Sequence, residues 1–355
     1  MKSVLLVTLS WHTDHQEAIF SMYAQMKAQG VKVWTLTIAD SDYPAPHNED
    51  NYFVRAPKNP GIEKETFNFS ELLRMMKIVR KLNFDIVYFE SFHFWNYPIM
   101  LYCKSKRKLL THIIHDAVIH KGDSNVRIKT YLNKTIIDLS DIIFTKSKLG
   151  ADTIKAMYPK RVDKVRCVSV WREFSGYSQP LGEKVLFFGR LNIYKGIDEL
   201  YQVISRTPDI GFIVKGKPDS AAVEVVKRIK ELPNAILDGQ TVPYAKLDEL
   251  FRNSKCVILP YKSATQSGVV IDAYKHACPV IAFDVGALGE QVLDGKTGYL
   301  VPAGDVKGLT NCIHRIFSMN ECEYSEMCHN AYQYGFSSFS AQSQVDDFMN
   351  AIGVR

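Results

Sequence analysis

One polar segment of this sequence is best suited to bind a phosphorylated ligand. It follows an apolar segment in the second half of the chain. Residues 261–302 read YKSATQSGVVIDAYKHACPVIAFDVGALGEQVLDGKTGYLVP, and the apolar residues 256–260 precede them directly. The pattern predicts a strand, a loop rich in Ser, Thr and Gln, and a helix over 268–277. The free N–H groups and positive dipole end of such a helix bind phosphate or a sugar hydroxyl. In a parallel sheet this loop lies at the carboxyl edge, where open α/β folds bind ligands.

A second candidate site for phosphate follows another apolar segment. In VLFFGRLNIYKG, a predicted strand over 185–188 is followed by Gly189-Arg190 and then by Lys195-Gly196. Glycine permits a tight turn. An Arg guanidinium can bind phosphate through two N–H groups, and Lys adds a point charge. Arg190 and Lys195 are therefore predicted to hold a diphosphate.

Taken together, the two segments resemble the nucleotide-sugar-binding signature of glycosyltransferase family 4. Members of this family are retaining enzymes with the GT-B architecture of two facing Rossmann-like domains. The usual form of this signature is Glu-x-Phe-Gly, then four residues, then Glu-Ala. In this chain Asp272-Ala273 occupies the place of that Glu-Ala pair. The first Glu falls on Ala264, so Gln266 and Ser267 are the neighbouring polar groups that could replace it at the donor sugar.

The resemblance implies a donor site in the second domain. In the family, Gly-Arg-x(4)-Lys-Gly holds the donor's diphosphate, and the strand edge that carries Lys217 meets the base. Asp272, placed in the first turn of the predicted helix, is expected to accept both ribose hydroxyls, or else to serve only as a helix-start charge. The predicted donor-binding residues are Arg190, Lys195, Lys217, Gln266, Ser267, Gly268, Val269 and Asp272.

Histidine and aspartate side chains follow a predicted strand of the first half. In LLTHIIHDAVIHKGD, His115 and Asp116 come directly after the strand, so they emerge at the carboxyl edge of the sheet. A neutral imidazole can hydrogen-bond a sugar hydroxyl, and a carboxylate can orient an acceptor hydroxyl. In the resembling family a His at this place lies beside the transferring sugar, so His115 and Asp116 are the predicted catalytic residues. The alternatives are structural polar residues or a metal site.

Aromatic and imidazole side chains are the candidates for acceptor binding. Trp11 and His12 follow the first strand, His93 lies in the run ESFHFW after another strand, and His120 follows the catalytic candidates. Aromatic rings can stack on a sugar or cover a lipid chain. The alternative for Trp11 and His12 is a helix cap, and the alternative for the ESFHFW run is an ordinary interdomain core.

The composition is that of a globular protein. Of 355 residues, 46% are hydrophobic and 23% are charged. No apolar run reaches the roughly 18 to 20 residues that span a bilayer. The seven cysteines have no paired spacing, which predicts reduced thiols in a cytoplasmic protein.

The charge is uneven along the chain. Residues 1–175 carry a formal charge of +8, residues 176–355 carry −2, and the densest basic run is KSKRK at 104–108. A basic first half favours peripheral contact with an anionic membrane. The alternative for KSKRK is a solvated helix end. Nucleic acid is not expected as a partner, because no basic motif of a known reader is present.

Alternating strand and helix patterns predict an α/β fold of two doubly wound, Rossmann-like domains. The predicted domains are 1–175, which binds the acceptor, and 176–338, which binds the nucleotide-sugar. The periodicity lapses over 171–183, and a polar, Pro-rich loop is predicted from the end of the second strand to about Gly61. The resemblance implies that a last helix, within 339–355, returns to the first domain.

The sequence therefore predicts a retaining glycosyltransferase that moves a sugar from a UDP- or GDP-sugar to a glycan or lipid-linked acceptor. No Asp-x-Asp motif lies near the donor segments, so neither a metal ion nor another cofactor is expected. One alternative is a sugar-nucleotide epimerase or hydrolase on the same fold. Another, suggested by the absence of the first Glu, is a non-catalytic sugar-nucleotide-binding subunit.

Overall fold

The computed structural model describes residues 2–41, 43–58, 63–115, 126–168, 171–243 and 246–353. The chain divides into two compact units. The first unit comprises Met1–Trp171 and Ala341–Arg355, and the second comprises Arg172–Ser340. The boundary falls at the start of the segment 171–183, where the sequence periodicity lapses.

The first unit contains a parallel sheet of seven strands within its described residues, in the order β3-β2-β1-β4-β5-β6-β7. The strands are β1 (Val4–Val7), β2 (Val33–Ile38), β3 (Asn51–Val54), β4 (Ile86–Phe89), β5 (Leu109–Ile114), β6 (Ile142–Thr145) and β7 (Val165–Cys167). The helices between them are α1 (Thr13–Ala28), α2 (Phe69–Lys81), α3 (Asn96–Ser105), α4 (Val126–Leu139) and α5 (Lys148–Met157). The central strands are buried on both faces, as their continuous apolar runs require.

The second unit contains a parallel sheet of six strands within its described residues, in the order β10-β9-β8-β11-β12-β13. The strands are β8 (Lys184–Phe188), β9 (Gly211–Lys215), β10 (Ala235–Asp238), β11 (Cys256–Leu259), β12 (Val280–Phe283) and β13 (Gly298–Val301). The helices are α6 (Ile197–Arg206), α7 (Val223–Lys230), α8 (Leu247–Arg252), α9 (Gly268–Lys275), α10 (Leu288–Gln291), α11 (Val306–Phe317) and α12 (Glu321–Phe339). The apolar faces of these elements form one continuous core.

The last helix of the described chain, α13 (Ala341–Ala351), packs on the first unit. Val345 and Phe348 are buried in the core on one face of that unit's sheet, and the Phe348 ring centroid lies 5.3 Å from that of Tyr88. Because α13 follows the whole of the second unit, the chain crosses between the units twice.

The short strands β3 and β7 are absent from the elements that the sequence predicts. β3 lies inside the predicted polar loop and pairs with β2 from Thr35↔Asn51 to Ile38↔Val54. It is an edge strand in which Tyr52 and Phe53 are only half-buried. A strand of four residues between Pro- and Asp-rich segments has too little periodicity to predict, and pairing with β2 decides its conformation.

Candidate functional site

In the second unit, a glycine turn places Lys195 at the carboxyl end of β8. Gly189 has a φ of +122°, and a Cβ there would lie 2.7 Å from Lys195 Nζ. Lys195 Nζ lies 5.0 Å from the centroid of the Tyr261 ring. Burial lowers the pKa of the Lys195 ammonium, and the nearby Arg190 cation lowers it further. The turn therefore holds two cations close together, one of them poorly solvated.

Neither of these cations has a carboxylate partner in the part of the chain that the structure describes. Arg190 is exposed and Lys195 is half-buried, and among the described residues neither forms an ion pair with an acidic side chain. A desolvated cation without a counterion is unfavourable, and an anionic ligand relieves that cost. The arrangement suits a phosphate or diphosphate.

The loop after β9 packs directly against this turn. Gly216 has a φ of +147°, and a Cβ there would lie 1.8 Å from the Gly189 carbonyl oxygen, so only glycine allows the approach. The carbonyl of Lys217 accepts a hydrogen bond from the Leu191 amide at 2.9 Å. The Lys217 side chain is exposed, beside the two cations of the glycine turn.

The loop that opens α9 is held by a glutamine from α10. The Ser267 amide donates to Gln291 Oε1 at 2.9 Å, and Gln291 Nε2 donates to the Ser267 carbonyl at 3.1 Å. Ser267 and Val269 are buried, whereas Gln266 is half-buried, with a buried Oε1 that has no hydrogen-bond partner among the described residues. The Gly268 end of α9 thus follows a fixed loop in which Gln266 retains an acceptor for a ligand.

Asp272 is one turn inside α9 rather than in its first turn, and it forms an ion pair that the sequence does not predict. Arg172 Nε lies 2.6 Å from Asp272 Oδ1. The two residues are 100 positions apart in the chain. The carboxylate that is predicted to bind ribose is therefore bound through Oδ1 to a guanidinium.

In the first unit, His115 is oriented by the main chain at the end of β4. Its Nε2 lies 2.6 Å from the Glu90 carbonyl oxygen. A carbonyl oxygen can only accept a hydrogen bond, so Nε2 carries the proton and Nδ1 is an acceptor. Burial holds the pKa of His115 well below its ordinary value of 6.5, and the Lys146 ammonium lowers it further. His115 is thus a neutral imidazole whose Nδ1 can accept a hydrogen bond from a hydroxyl.

A buried ion pair lies beside this imidazole. Lys146 Nζ is 2.7 Å from Glu90 Oε1, with the two side chains 10% and 0% exposed. The Tyr88 hydroxyl donates to Glu90 Oε2 at 2.5 Å, and His115 Nε2 lies 3.6 Å from Glu90 Oε1. The ring of His15 stacks on that of His115, with centroids 4.6 Å apart. These groups form one polar cluster at the carboxyl edge of the first sheet.

The acceptor candidates occupy different environments. Trp11 is half-buried, with the Lys58 ammonium 3.9 Å from its ring centroid. His12 is exposed at the N-cap of α1 but makes no side-chain cap, so the capping alternative does not describe it. His93 is 2% exposed, with Nε2 at 3.2 Å from the Pro57 carbonyl and Nδ1 accepting from the Trp95 amide at 3.0 Å. His93 therefore braces two loops of its own unit.

Asp116 and His120 lie outside the described residues. Among the residues that are described, no group of three or more His, Cys, Asp or Glu side chains is arranged to hold a metal ion. His112, another histidine of the segment LLTHIIHDAVIHKGD for which a metal site is an alternative, is buried in β5 and bonds a main-chain oxygen through Nδ1 at 2.8 Å.

Sequence reasoning did not identify four residues of the candidate sites. His15, Glu90 and Lys146 belong to the polar cluster around His115, and Arg172 pairs with Asp272. A local signal was available for two of them, since Glu90 directly follows β4 and Lys146 directly follows β6. A position directly after a strand is also the signal that identifies His115, which follows β5. Arg172 has no such signal, because its partner Asp272 is distant in sequence.

Two family profiles cover most of the chain. The family described as Glycosyltransferase Family 4 matches residues 17–169, and the one described as Glycosyl transferases group 1 matches residues 182–319. Each match falls within one of the two units.

Curated relatives share moderate similarity with parts of the chain. The D-inositol 3-phosphate glycosyltransferase of Mycobacterium sp. (strain JLS) is 24% identical over 58% of this chain and 51% of its own length. The glycogen synthase of Thermus caldophilus is 27% identical over 44% of this chain and 36% of its own length. The chain thus spans about half the length, or less, of the curated relatives it matches.

Solved structures match over the whole chain. Anabaena HepE in complex with UDP superposes with a TM-score of 0.76 at 13% identity, covering 99% of this chain and 100% of that one. Sucrose-phosphate synthase from Thermosynechococcus elongatus has a TM-score of 0.74 at 16% identity, covering 100% and 99%. At these identities the similarity establishes the fold. Among the described residues, no helix combines the length and apolarity that crossing a bilayer requires.

Proposed function

The chain belongs to glycosyltransferase family 4 and has the GT-B fold, and from this premise we propose that it is a retaining enzyme with a UDP- or GDP-sugar as donor. The acceptor in this proposal is a glycan or a lipid-linked glycan of surface polysaccharide or glycoconjugate biosynthesis. A nucleotide-sugar donor is supported by Anabaena HepE, whose structures were solved with UDP and with UDP-glucose.

The observation that carries the donor site is the pair of cations Arg190 and Lys195 at the glycine turn. They lie close together without a carboxylate partner in the described chain, and the start of α9 belongs to the same edge of the sheet. Fixed donors around a diphosphate would stabilise the charge that develops on the leaving group. We therefore expect turnover that needs neither a divalent metal nor another cofactor.

His115 is the proposed contact to the transferred sugar, and Asp116 is proposed to act beside it. In this proposal His115 acts by positioning, because its neutral Nε2–H form offers Nδ1 to a sugar hydroxyl. Trp11, His12 and His120 remain proposed acceptor contacts. His93 would act indirectly, by bracing the loops beside the site.

In this proposal an anionic membrane presents the acceptor, and the first unit makes the contact. Parallel topology places KSKRK before β5, at the amino edge of the sheet, whereas His115 follows β5 at the carboxyl edge. The exposed rings of Phe67 and Phe69 lie near the start of α2, also at the carboxyl edge. We therefore propose that α2 rather than KSKRK faces the bilayer.

One observation favours the alternative of a non-catalytic subunit. Ala264, at the place of the family's first Glu, is 9% exposed, and its carbonyl accepts from the Ala287 amide at 3.0 Å. A Cβ on Gly286 would lie 1.9 Å from that carbonyl oxygen. The turn is closely packed around alanine and supplies no carboxylate to a donor sugar.

A donor screen followed by product analysis tests the proposal. A nucleotide at 100 times its dissociation constant should raise the unfolding free energy by roughly 2.7 kcal/mol, which a thermal-shift assay with UDP, GDP and their sugars detects. Nuclear magnetic resonance of the product should then show the anomeric configuration of the donor. Binding without transfer to any acceptor would favour the subunit, and sugar-nucleotide conversion without acceptor would favour the epimerase or hydrolase.

A further inference from the structure

The guanidinium of Arg172 reaches from Asp272 to the first residue of α9. Its Nε lies 2.6 Å from Asp272 Oδ1, and the two side chains are 20% and 15% exposed. Its Nη2 lies 2.8 Å from the position that a Cβ would take on Gly268. Any side chain at Gly268 would therefore displace the guanidinium.

A cation in this position is electrostatically unusual. The N-terminus of a helix carries a partial positive charge and favours anions over cations. Asp272 offsets the charge of Arg172, but its carboxylate lies one turn inside the helix. An anionic ligand at the start of α9 would be attracted by both the guanidinium and the free N–H groups.

The glycine turn contacts the start of the loop that leads to Gly268. Lys195 Nζ lies 5.0 Å from the centroid of the Tyr261 ring, and Tyr261 opens the loop that ends at Ser267. Ser267 immediately precedes Gly268, against which Arg172 packs. Lys195 and Arg172 thus contact the two ends of one loop.

We propose that Arg172 is a third phosphate-binding cation of the donor site, in addition to Arg190 and Lys195. The same guanidinium fixes Asp272 by binding Oδ1, which leaves Oδ2 to accept a ribose hydroxyl. Arg172 thereby couples recognition of the phosphate to recognition of the ribose. The inference rests on the proposed function, because it assumes a nucleoside diphosphate at this edge of the second unit.

Ligands that differ only in phosphate content separate this role from a purely structural one. Removing the arginine alone would leave the half-buried Asp272 carboxylate without its cation, so the test compares Asp272→Asn with the double variant Arg172→Met/Asp272→Asn. Uridine, UMP and UDP are titrated by calorimetry or ligand-observed magnetic resonance, with the guanosine series in parallel. Arg206→Met in the Asp272→Asn background is the matched control, since Arg206 is an exposed arginine at the end of α6 away from the glycine turn. It removes one positive charge from the unit, as the Arg172→Met step does.

The expected result is a loss that grows with phosphate content. Asp272→Asn should weaken all three ligands by a similar factor, through the ribose. Adding Arg172→Met should weaken UDP about tenfold or more and leave uridine unchanged, because a charge-assisted hydrogen bond is lost. Adding Arg206→Met instead should change none of the affinities, and thermal melts establish that each variant is folded.

Two other results would overturn the inference in distinguishable ways. If Arg172→Met weakens uridine as much as UDP, or weakens neither, Arg172 serves only to hold Asp272 and the inference alone fails. If the wild-type chain binds neither the uridine nor the guanosine series, the proposed donor site fails as well.

Discussion

Lys146 Nζ lies 2.7 Å from Glu90 Oε1 in the first unit, and the Glu90 side chain is fully buried. The partners follow two different strands, β6 and β4, and lie beside His115, which follows β5. Removing two charges from water is expensive, and mutual attraction with further hydrogen bonds offsets that cost. The Tyr88 hydroxyl and the Lys146 ammonium supply those bonds to the two oxygens of Glu90.

The first prediction concerns this ion pair. Lys146→Met should lower the unfolding free energy by about 3 to 5 kcal/mol, because it leaves the Glu90 carboxylate buried without its cation. The double variant Lys146→Met/Glu90→Gln should recover most of that loss. Urea denaturation followed by tryptophan fluorescence measures both. A single variant as stable as the wild type would show that Glu90 does not depend on Lys146.

The second prediction concerns His115. His115→Ala should lower kcat about tenfold or more while leaving the affinity for the nucleotide nearly unchanged, because one hydrogen bond to the transferred sugar is lost. Steady-state kinetics and a separate nucleotide titration measure the two effects. His314→Ala, an exposed histidine of the second unit, is the control. A loss of nucleotide affinity with no change in kcat would contradict the proposed role of His115.

Local sequence patterns predict the fold apart from the short strands β3 and β7, and they identify part of the candidate site. The cations Arg190 and Lys195 follow a strand and a glycine within a few residues, so a short motif identifies them. The pairing of Arg172 with Asp272 joins residues 100 positions apart, and the pairing of Glu90 with Lys146 joins residues 56 apart. Such contacts depend on which strands become neighbours, and a single sequence does not state that order.

The third prediction is that acid destabilises the first unit before its carboxylates titrate. Burial lowers the pKa of His15 and His115, and it lowers the pKa of His93 and His112 to about 4. The unfolded chain then binds more protons than the folded one below pH 6.5. This contribution to stability is complete above about pH 6.5 and is lost as pH falls towards 4, at a cost on the order of 3 kcal/mol for each of His93 and His112.

Tryptophan fluorescence isolates this effect, because all four tryptophans, Trp11, Trp34, Trp95 and Trp171, belong to the first unit. Urea denaturation at pH 7.5, 6.0 and 5.0 should show a falling unfolding free energy. His112→Leu should reduce the dependence, since one buried group no longer takes up a proton. Equal stability at the three pH values would contradict the prediction.

The fourth prediction concerns the glycine turn. Arg190→Ala and Lys195→Ala should each weaken UDP or GDP binding by roughly 1.5 to 3 kcal/mol, the range for a lost charge-assisted hydrogen bond. Lys195→Ala should not destabilise the fold strongly, because its ammonium has no carboxylate partner in the described chain. Calorimetry with Arg206→Ala as control measures the affinities. Unchanged binding in both variants would place the donor elsewhere.

The fifth prediction concerns the membrane. Within KSKRK, Lys104 is held 2.6 Å from Asp141 and Lys108 bonds the Phe84 carbonyl, so two of the four cations are engaged internally. At the opposite edge of the sheet, Phe67, Phe69 and Leu73 are 67%, 66% and 60% exposed. Of the exposed basic residues of α2, Arg74 is paired with Glu71 at 3.0 Å, Lys77 lies one turn beyond Leu73, and Arg80 and Lys81 lie in the last turn, away from the aromatic rings. Exposed apolar side chains with a lysine nearby suit the interface of an anionic bilayer.

This apolar patch is fixed close to the loops at the carboxyl edge of the first sheet. The carbonyl of Thr66 accepts from Trp95 Nε1 at 3.2 Å, and Trp95 lies in the loop after β4. A bilayer that contacts Phe67 and Phe69 would therefore present an acceptor on the side of the sheet where His115 emerges. Contact through KSKRK would place it at the far edge, a strand length of roughly 20 Å away.

Liposome co-sedimentation with and without anionic lipid distinguishes the two faces. Phe69→Ser/Leu73→Ser should abolish most binding to anionic vesicles, while Lys106→Gln/Arg107→Gln should reduce it only slightly, since each cation near the surface contributes about 1 kcal/mol. Binding should weaken with salt, because the Debye length is only about 8 Å at physiological ionic strength. A larger effect of the Lys106 and Arg107 changes would assign the contact to KSKRK. Absence of binding at low salt would favour a free glycan as the acceptor.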